Sequence, residues 1–369
     1  MTGRTILLAA GGTGGHLFPA EALAHELIAR GFKVHLATDE RAKRFVEGFP
    51  ATQIHIIPSA TPSARNPFKL ARALWVLWRG IRASRVVLNQ IRPAAVVGFG
   101  GYPTVPPVLA ADGMGIAILI HDANAVMGRA NRMLARRAKL VAMGFDNTAG
   151  GGRTEVVVTG NPVRPEVLEA ARKPYPERTT RAPFNLLIFG GSQGAQFFAD
   201  ALPEAVSFLD PPNRSLLRIV QQARPEDVDR VTAHYAEVGI RAEVAPFFTD
   251  MARRIAAAHF VISRAGASTV SELAVIGRPA ILVPYPHALD HDQALNARAM
   301  AQAKGAEVVA QGEMNSEWLA RRLRAALANP KGLAQMAQNA KKTGRPDATS
   351  MLADCVERVA SGTAARISG

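Results

Sequence analysis

Short aliphatic and β-branched runs alternate along the chain with longer stretches in which apolar residues recur every three or four positions. The short runs predict strands at residues 5–9, 34–38, 95–99, 117–121, 140–143 and 156–159. A second series follows at 185–189, 217–221, 242–245, 260–263, 280–283 and 306–309. The longer stretches predict helices, among them 19–30, 66–90, 125–137, 268–276, 292–304 and 316–328. Alternating strand and helix implies parallel strands covered on both faces. The strands form two sets of six, parted by the polar, proline-rich stretch 169–183. The pattern therefore predicts an α/β protein of two Rossmann-like domains, residues 1–161 and 162–344. A last helix near 349–360, within 345–369, is expected to cross back onto the first domain.

Composition narrows the class. Of 369 residues, 48% are hydrophobic and 20% charged, a balance that folds. No apolar run approaches the ~18–20 residues of a membrane helix. The start of the chain has too little apolar length before its glycines for a signal peptide. One cysteine, Cys355, excludes an internal disulfide and fits a reducing compartment. These features lead us to expect a soluble intracellular protein. Net charge is +14, which calls for an anionic partner. The distribution is more telling than the total. No acidic residue lies between Glu47 and Asp112, where the chain's average would put about five, yet Arg65, Lys69, Arg72, Arg79, Arg82, Arg85 and Arg92 do.

Three glycine turns follow strands. Gly11-Gly12-Thr13-Gly14-Gly15 lets backbone N–H groups approach an anion at a helix start. It is not the dinucleotide fingerprint, because Leu17 stands where the third glycine belongs, and no Lys-Ser/Thr pair makes it a P-loop. The second turn is Gly98-Phe-Gly100-Gly101-Tyr102-Pro103. The third, Gly190-Gly191-Ser192-Gln193-Gly194, opens the second domain as the first turn opens the first. Two such turns on one strand edge suit a phosphate or pyrophosphate. His16 comes just after the first turn, where the helix dipole disfavours imidazolium. A neutral ring there is a candidate base, and a packing or capping histidine is the plain alternative. Glu272, expected near the first turn of the helix after Arg264-Ala-Gly-Ala, is a candidate ribose acceptor or a helix cap. Asp290-His291-Asp292 has no further ligand cluster near it in sequence, so no metal site is assigned.

Two other classes compete. Asp39, after the second strand, stands where a nicotinamide-dinucleotide enzyme carries its ribose-binding acid, but the missing third glycine opposes that reading. Nucleic-acid binding would explain the charge, yet no recognised module accompanies it.

Six motifs in order, Gly11-Gly-Thr-Gly-Gly-His16, Gly100-Gly-Tyr-Pro, His121-Asp-Ala-Asn124, Gly160-Asn-Pro-Val-Arg164, Gly190-Gly-Ser-Gln-Gly and Gly266-Ala-Ser-Thr-Val-Ser-Glu272, span nearly the whole chain. Together they resemble the MurG family of bacterial N-acetylglucosaminyltransferases. The resemblance implies the glycosyltransferase B fold, two Rossmann-like domains facing across a cleft. It implies inverting transfer of N-acetylglucosamine from UDP-N-acetylglucosamine to the 4-hydroxyl of the muramyl sugar of undecaprenyl-linked lipid I, for peptidoglycan. Another UDP-sugar transferase, or an epimerase of the same fold, is the alternative. The resemblance assigns the donor to Thr13, Gly14, Gly15, Asn124, Arg164, Ser192, Phe248, Thr269, Glu272, Gln293 and Asn296. It assigns the acceptor pyrophosphate to Gly12, Gly14, Gly100, Gly101 and Tyr102, and the base to His16. No metal or cofactor is required, and no nucleic-acid partner is implied. The chain departs from the family at Asp122-Ala123, where Glu-Gln is frequent, and at Ser268, where leucine is common.

The acid-free stretch carries the last expectation. Over 66–90, Phe68, Leu70, Leu74, Trp75, Leu77 and Trp78 interleave with Lys69, Arg72, Arg79, Arg82 and Arg85. Aromatic rings and cations so arranged suit an anionic membrane interface, and the lipid-linked acceptor that the resemblance implies would place it at the cytoplasmic face of the inner membrane. The competing reading is an amphipathic helix on the sheet with a solvated basic face.

Overall fold

In the computed structural model, which describes residues 3–62, 66–146, 154–191, 196–286 and 292–362 (backbone alone at 43–45), every paired strand is parallel. The chain divides into two compact units, Met1–Arg164 with Pro346–Gly369, and Pro165–Arg345.

The first unit holds β1 (Thr5–Ala9), β2 (Lys33–Thr38), β3 (Gln53–Ile56), β4 (Ala95–Gly98), β5 (Ala117–Asp122), β6 (Leu140–Met143) and β7 (Glu155–Val158), in the sheet order β3-β2-β1-β4-β5-β6-β7. Its helices are α1 (Gly14–Ala29), α2 (Pro67–Ile91), α3 (Val105–Asp112) and α4 (Arg129–Leu134). The second unit holds β8 (Phe184–Phe189), β9 (Leu217–Gln222), β10 (Arg241–Ala245), β11 (Phe260–Ser263), β12 (Ala280–Leu282) and β13 (Ala306–Val308), ordered β10-β9-β8-β11-β12-β13. Around it run α5 (Pro165–Ala171), α6 (Gln196–Ser207), α7 (Pro211–Leu216), α8 (Val228–Glu237), α9 (Met251–Ala257), α10 (Ala267–Ile276), α11 (Asp292–Asn296), α12 (Arg298–Gln302), α13 (Ser316–Ala328) and α14 (Pro330–Lys342). Finally α15 (Ala348–Ser361) belongs to the first unit.

Residues alternate between the two faces of each strand, so both faces of the first sheet are apolar. Ile6, Leu8, Val34, Leu36 and Val97 pack under α1 and α15. On the other face, Leu7, Ala9, Val96, Ile118 and Ile120 pack under α2, α3 and α4. Arg30, at the end of α1, ties α15 down through Asp354 at 2.5 Å, Glu357 at 3.1 Å and the Ser350 hydroxyl at 2.9 Å. Gly80 lets α2 approach closely, because a Cβ there would lie 2.1 Å from the Pro58 carbonyl oxygen.

Four expectations change. A seventh strand, β3, joins the first sheet at its edge. Its sequence, Gln-Ile-His-Ile, is half-exposed and so carries no apolar run. The helix expected from residue 19 begins at Gly14, so Gly14, Gly15 and His16 are its first turn. The helix expected over 125–137 is delayed to Arg129, because the Gly128 N–H donates to the Asp122 carboxylate at 2.9 Å. The span 292–304 breaks into α11 and α12.

Arg278 organises one end of the second unit from the inside. It is 1% exposed, and its guanidinium donates to the carbonyls of Ala256, Ile276, Gly277 and Pro174. The side chain so caps α9 and α10 and pins the segment that enters the unit. Burial lowers the guanidinium pKa to about 10. Each buried carbonyl left without a donor costs ~1–3 kcal/mol. Arg278→Met is therefore expected to lower the unfolding free energy by about 3 kcal/mol or more. Urea unfolding followed by circular dichroism measures this, and an unshifted midpoint would refute the capping role.

Candidate active site

In the first unit the chemistry gathers where β1, β4, β5 and β6 end. The N-cap of α1, Thr13, makes no side-chain capping bond, and His16 sits in the first turn beyond it. The second glycine turn is folded against this ring. A Cβ on Gly100 would lie 3.2 Å from His16 Cε1, and one on Gly101 would lie 3.3 Å from His16 Cδ2. Both glycines have positive φ, at 99° and 74°. The glycines are thus required by the imidazole as well as by the turn. Thr104 fastens the turn to β1, its hydroxyl donating to Ala9 O at 3.1 Å and Gly100 O at 2.7 Å. Tyr102 begins the short 3₁₀ turn Tyr102–Thr104.

The first turn differs. Gly11 is packed, since a Cβ would meet Pro103 and the Thr38 hydroxyl at 2.9 Å, and one on Gly14 would meet the Phe18 ring at 2.8 Å. Gly12 alone combines positive φ, 85°, with open space, its nearest neighbour the Arg41 guanidinium at 3.9 Å. Burial pushes the His16 imidazole below its ordinary value, while the Asp122 charge and a hydrogen bond to the Phe99 backbone push it up. The ring is accordingly neutral near pH 7 and able to accept a proton.

Asn124 closes the turn after β5, its N–H donating to Asp122 Oδ1 at 3.0 Å. The side-chain amide of Asn161 donates to Ala123 O at 2.9 Å and anchors that turn. Arg164 belongs to the first unit, with its guanidinium 4.3 Å from the Phe18 ring centroid. Asn131 carries no motif of its own in the sequence, and the hydrogen bonds of Asp122 and Asn161, which sit in two of the quoted motifs, show only in the structure.

The second unit repeats the plan. After β8 the Gly190 N–H donates to Gln222 Oε1 at 3.2 Å, and Gln222 also donates to Pro246 O at 3.1 Å. Gly191 has φ 82°. Ser192, with Gln193 and Gly194, lies outside the described residues, as do Arg65, Asp290 and His291. After β11, Gly266 caps α10 without a side-chain bond, and Thr269 follows in the first turn. Glu272 is buried in the second turn, so it is neither a capping glutamate nor a first-turn carboxylate. Gln293 Oε1 accepts from Tyr285 N–H at 2.9 Å, and Asn296 donates to Ala265 O at 3.3 Å. Those two residues of α11 thereby brace the loops after β12 and β11. Phe248 is buried under the Arg254 guanidinium, 4.1 Å from its centroid.

One residue of this edge escaped the sequence reading. Arg264 is 8% exposed, donates to Gln311 Oε1 at 2.6 Å and lies against Phe197, Phe198 and Tyr285. Among the described residues no group of three or more His, Cys, Asp or Glu could hold a metal ion.

Comparison with known proteins follows the same division. Residues 6–143 match the glycosyltransferase family 28 N-terminal domain, and residues 185–352 match the glycosyltransferase family 28 C-terminal domain. The UDP-N-acetylglucosamine–N-acetylmuramyl-(pentapeptide) pyrophosphoryl-undecaprenol N-acetylglucosamine transferase of Sinorhizobium fredii is 61% identical over 97% of this chain and 96% of its own. The crystal structure of Acinetobacter baumannii MurG superposes with a TM-score of 0.75 at 33% identity, covering 96% of this chain and 99% of that one. UDP-GlcNAc 2-epimerase of Neisseria meningitidis shares the fold alone, with TM-score 0.67 at 12% identity over 96% of this chain and 100% of that one. The chain therefore belongs to glycosyltransferase family 28, and within it to the MurG family of N-acetylglucosamine transferases.

Proposed function

We propose that this enzyme transfers N-acetylglucosamine from UDP-N-acetylglucosamine to the 4-hydroxyl of the N-acetylmuramyl-(pentapeptide) pyrophosphoryl-undecaprenol acceptor, with inversion. One observation carries the reading: 61% identity, over 97% of the chain, to a transferase of that name. In the proposed step the acceptor hydroxyl gives its proton to His16 and its lone pair forms the new bond to the anomeric carbon. The bond from that carbon to the diphosphate leaves with its electron pair on UDP. Helix N-termini without side-chain caps, at Gly266 and Thr13, supply N–H groups for anionic oxygens. Thr13, Gly14, Gly15, Asn124, Arg164, Ser192, Phe248, Thr269, Glu272, Gln293 and Asn296 are the proposed donor contacts. Gly12, Gly14, Gly100, Gly101 and Tyr102 are proposed for the acceptor pyrophosphate. No cofactor enters the proposal.

We further infer peripheral attachment to an anionic membrane surface at the cytoplasmic face. What supports this is the division of α2. Ala73, Gly80, Ser84 and Leu88 face inward, whereas Phe68 is 85% exposed, Trp75 54% and Trp78 52%. Leu74 is exposed as well, among Lys69, Arg72, Arg79 and Arg82. The Arg79 and Arg82 guanidinium groups stack on Trp75 and Trp78 at 4.8 and 4.9 Å. The helices α3 and α4 pack beside α2 on the same sheet face, and Arg129, Arg132, Met133, Arg136 and Arg137 line a concavity there. Among the described residues no helix is long and apolar enough to cross a membrane.

Transfer of labelled sugar from UDP-N-acetylglucosamine to a lipid I analogue, with and without chelator, tests the function. Product in both samples is expected, and UDP-sugar epimerisation without transfer would overturn the reading. In that assay His16→Ala is expected to lower kcat by about 10²-fold with the donor KM nearly unchanged. Because the imidazole must be neutral and its pKa is lowered, wild-type activity should hold flat above pH 6.5 and fall on the acid side. Near-normal turnover in the variant would remove His16 from the mechanism. Glu272→Ala is expected to raise the donor KM about tenfold or more, each lost hydrogen bond to a charged acceptor being worth ~1.5–3 kcal/mol. A fall in melting temperature alone would make Glu272 structural. For the membrane, sedimentation with anionic but not neutral vesicles is expected, weakened by salt, by Arg79→Glu and by Trp75→Ala with Trp78→Ala. Equal partitioning of these variants and wild type would assign α2 to the fold alone.

A further inference from the structure

The strand edge that carries His16 continues from β1 to β2 and β3, and the transfer step as written leaves a charged group there unused. Asp39 follows β2, and its backbone carbonyl accepts from Ala42 N–H at 3.0 Å, which folds residues 39–42 into a turn. The Asp39 side chain is 6% exposed, whereas Arg41, whose Nε donates to Asp39 Oδ2 at 2.6 Å, is 58% exposed. The Ser59 hydroxyl, just after β3, donates to the same carboxylate oxygen at 3.3 Å. Among the described residues Arg41 has no other hydrogen-bond or ion-pair partner. Its guanidinium is thus fixed at one corner. The Nη2 nitrogen lies 3.9 Å from where a Gly12 Cβ would be, and it is the one described group outside Gly12 and its chain neighbours within 4 Å of that point. Desolvating a carboxylate is costly, and an ion pair with an exposed guanidinium returns little to the fold. Asp39 is therefore placed to hold a cation at the mouth of the first glycine turn rather than to stabilise the core.

We propose that Arg41 binds the pyrophosphate of the acceptor, and that Asp39 and Ser59 are positioning residues that aim its guanidinium across Gly12. The proposal rests on the transfer reading above and adds a residue to it. A pyrophosphate diester carries two negative charges, yet the set proposed for it, Gly12, Gly14, Gly100, Gly101 and Tyr102, contains no cation. Backbone N–H groups supply partial charge only. A guanidinium supplies a full charge and a planar fork that matches two phosphate oxygens. With Nε spent on Asp39, the Nη groups are the ones that meet the ligand. The diphosphate of UDP has the same chemistry. Gly12, Asp39, Arg41 and Ser59 all belong to the first unit, with the acceptor set, and this assigns Arg41 to the acceptor.

The test is transfer by the full chain to a lipid I analogue with a short, water-soluble prenyl chain, so that no membrane surface enters. Arg41→Ala is expected to raise the acceptor KM about tenfold or more, with kcat and the donor KM nearly unchanged. Arg41→Lys, which keeps the charge and loses the fork, should fall between that variant and wild type. Calorimetric titration of the same analogue without donor should show the same loss of affinity in Arg41→Ala. Asp39→Asn is expected to raise the acceptor KM about threefold or more in the wild-type background and to leave it unchanged in Arg41→Ala. Equal effects in both backgrounds overturn the positioning role, and should Asp39→Asn fail to fold, Ser59→Ala takes its place in that cycle. An unchanged acceptor KM in Arg41→Ala, with wild type active, overturns this proposal and leaves the transfer reading standing. A donor KM that rises instead puts Arg41 on UDP and overturns it as well. A wild type that transfers nothing overturns the reading beneath it.

Discussion

Neighbouring parallel strands cannot be joined by a tight turn, so each connection must cross back over the sheet, usually as a helix, and return to the starting edge. That constraint puts helices on both sheet faces and leaves the carboxyl ends of the strands as the place where backbone polar groups lose their ladder partners. In this protein the same requirement recurs in both units, and side chains meet it. Thr104, Asn131 and Asn161 serve the carbonyls at the edge of the first sheet, and Gln222 serves Gly190 and Pro246 at the edge of the second. The residues that complete the sheets are therefore those that shape the turns around His16 and Gly190. Structure and chemistry draw on one set of hydrogen bonds.

The first unit shows how closely this set is drawn. The His16 ring needs the missing side chains of Gly100 and Gly101, Thr104 fixes that turn to β1, and Asn131 fixes the neighbouring Asp122 to β5. An anionic ligand would find N–H groups at Gly12 and at the start of α1, where no side chain competes. On the sheet face that carries α2, α3 and α4, apolar residues at the inward spacing hold the helices down and leave the indoles of Trp75 and Trp78 exposed, with Arg79 and Arg82 stacked on them.

Alternation of apolar runs made twelve of the thirteen strands among the described residues legible in sequence. The exception, β3, is an edge strand whose His55 and Gln53 break the run. The glycine turns and His16 were legible because glycines cluster for a stereochemical reason. Asn131 was not, and Asp122 was legible only as a motif member, because a polar residue shows its partners only once its burial is known. Arginine hides its role in the same way. Arg264 and Arg278 are both buried, and carbonyls and aromatic faces meet their guanidinium groups, which nothing in the run of the sequence marks. Glu272 illustrates the limit of local rules: the start of α10 was legible to within one residue, yet the side chain expected near the cap is buried in the second turn.

The central claim is that His16 is an uncharged imidazole at neutral pH, kept so chiefly by its burial and opposed by the Asp122 carboxylate. Histidine-selective ¹⁵N labelling of the full chain, with the His16 signal identified by its loss in His16→Ala, measures this directly. The account predicts that His16 titrates with a midpoint below 6.5 and that Asp122→Asn moves the midpoint lower still. A midpoint at or above 6.5, or one that Asp122→Asn leaves in place, would contradict it.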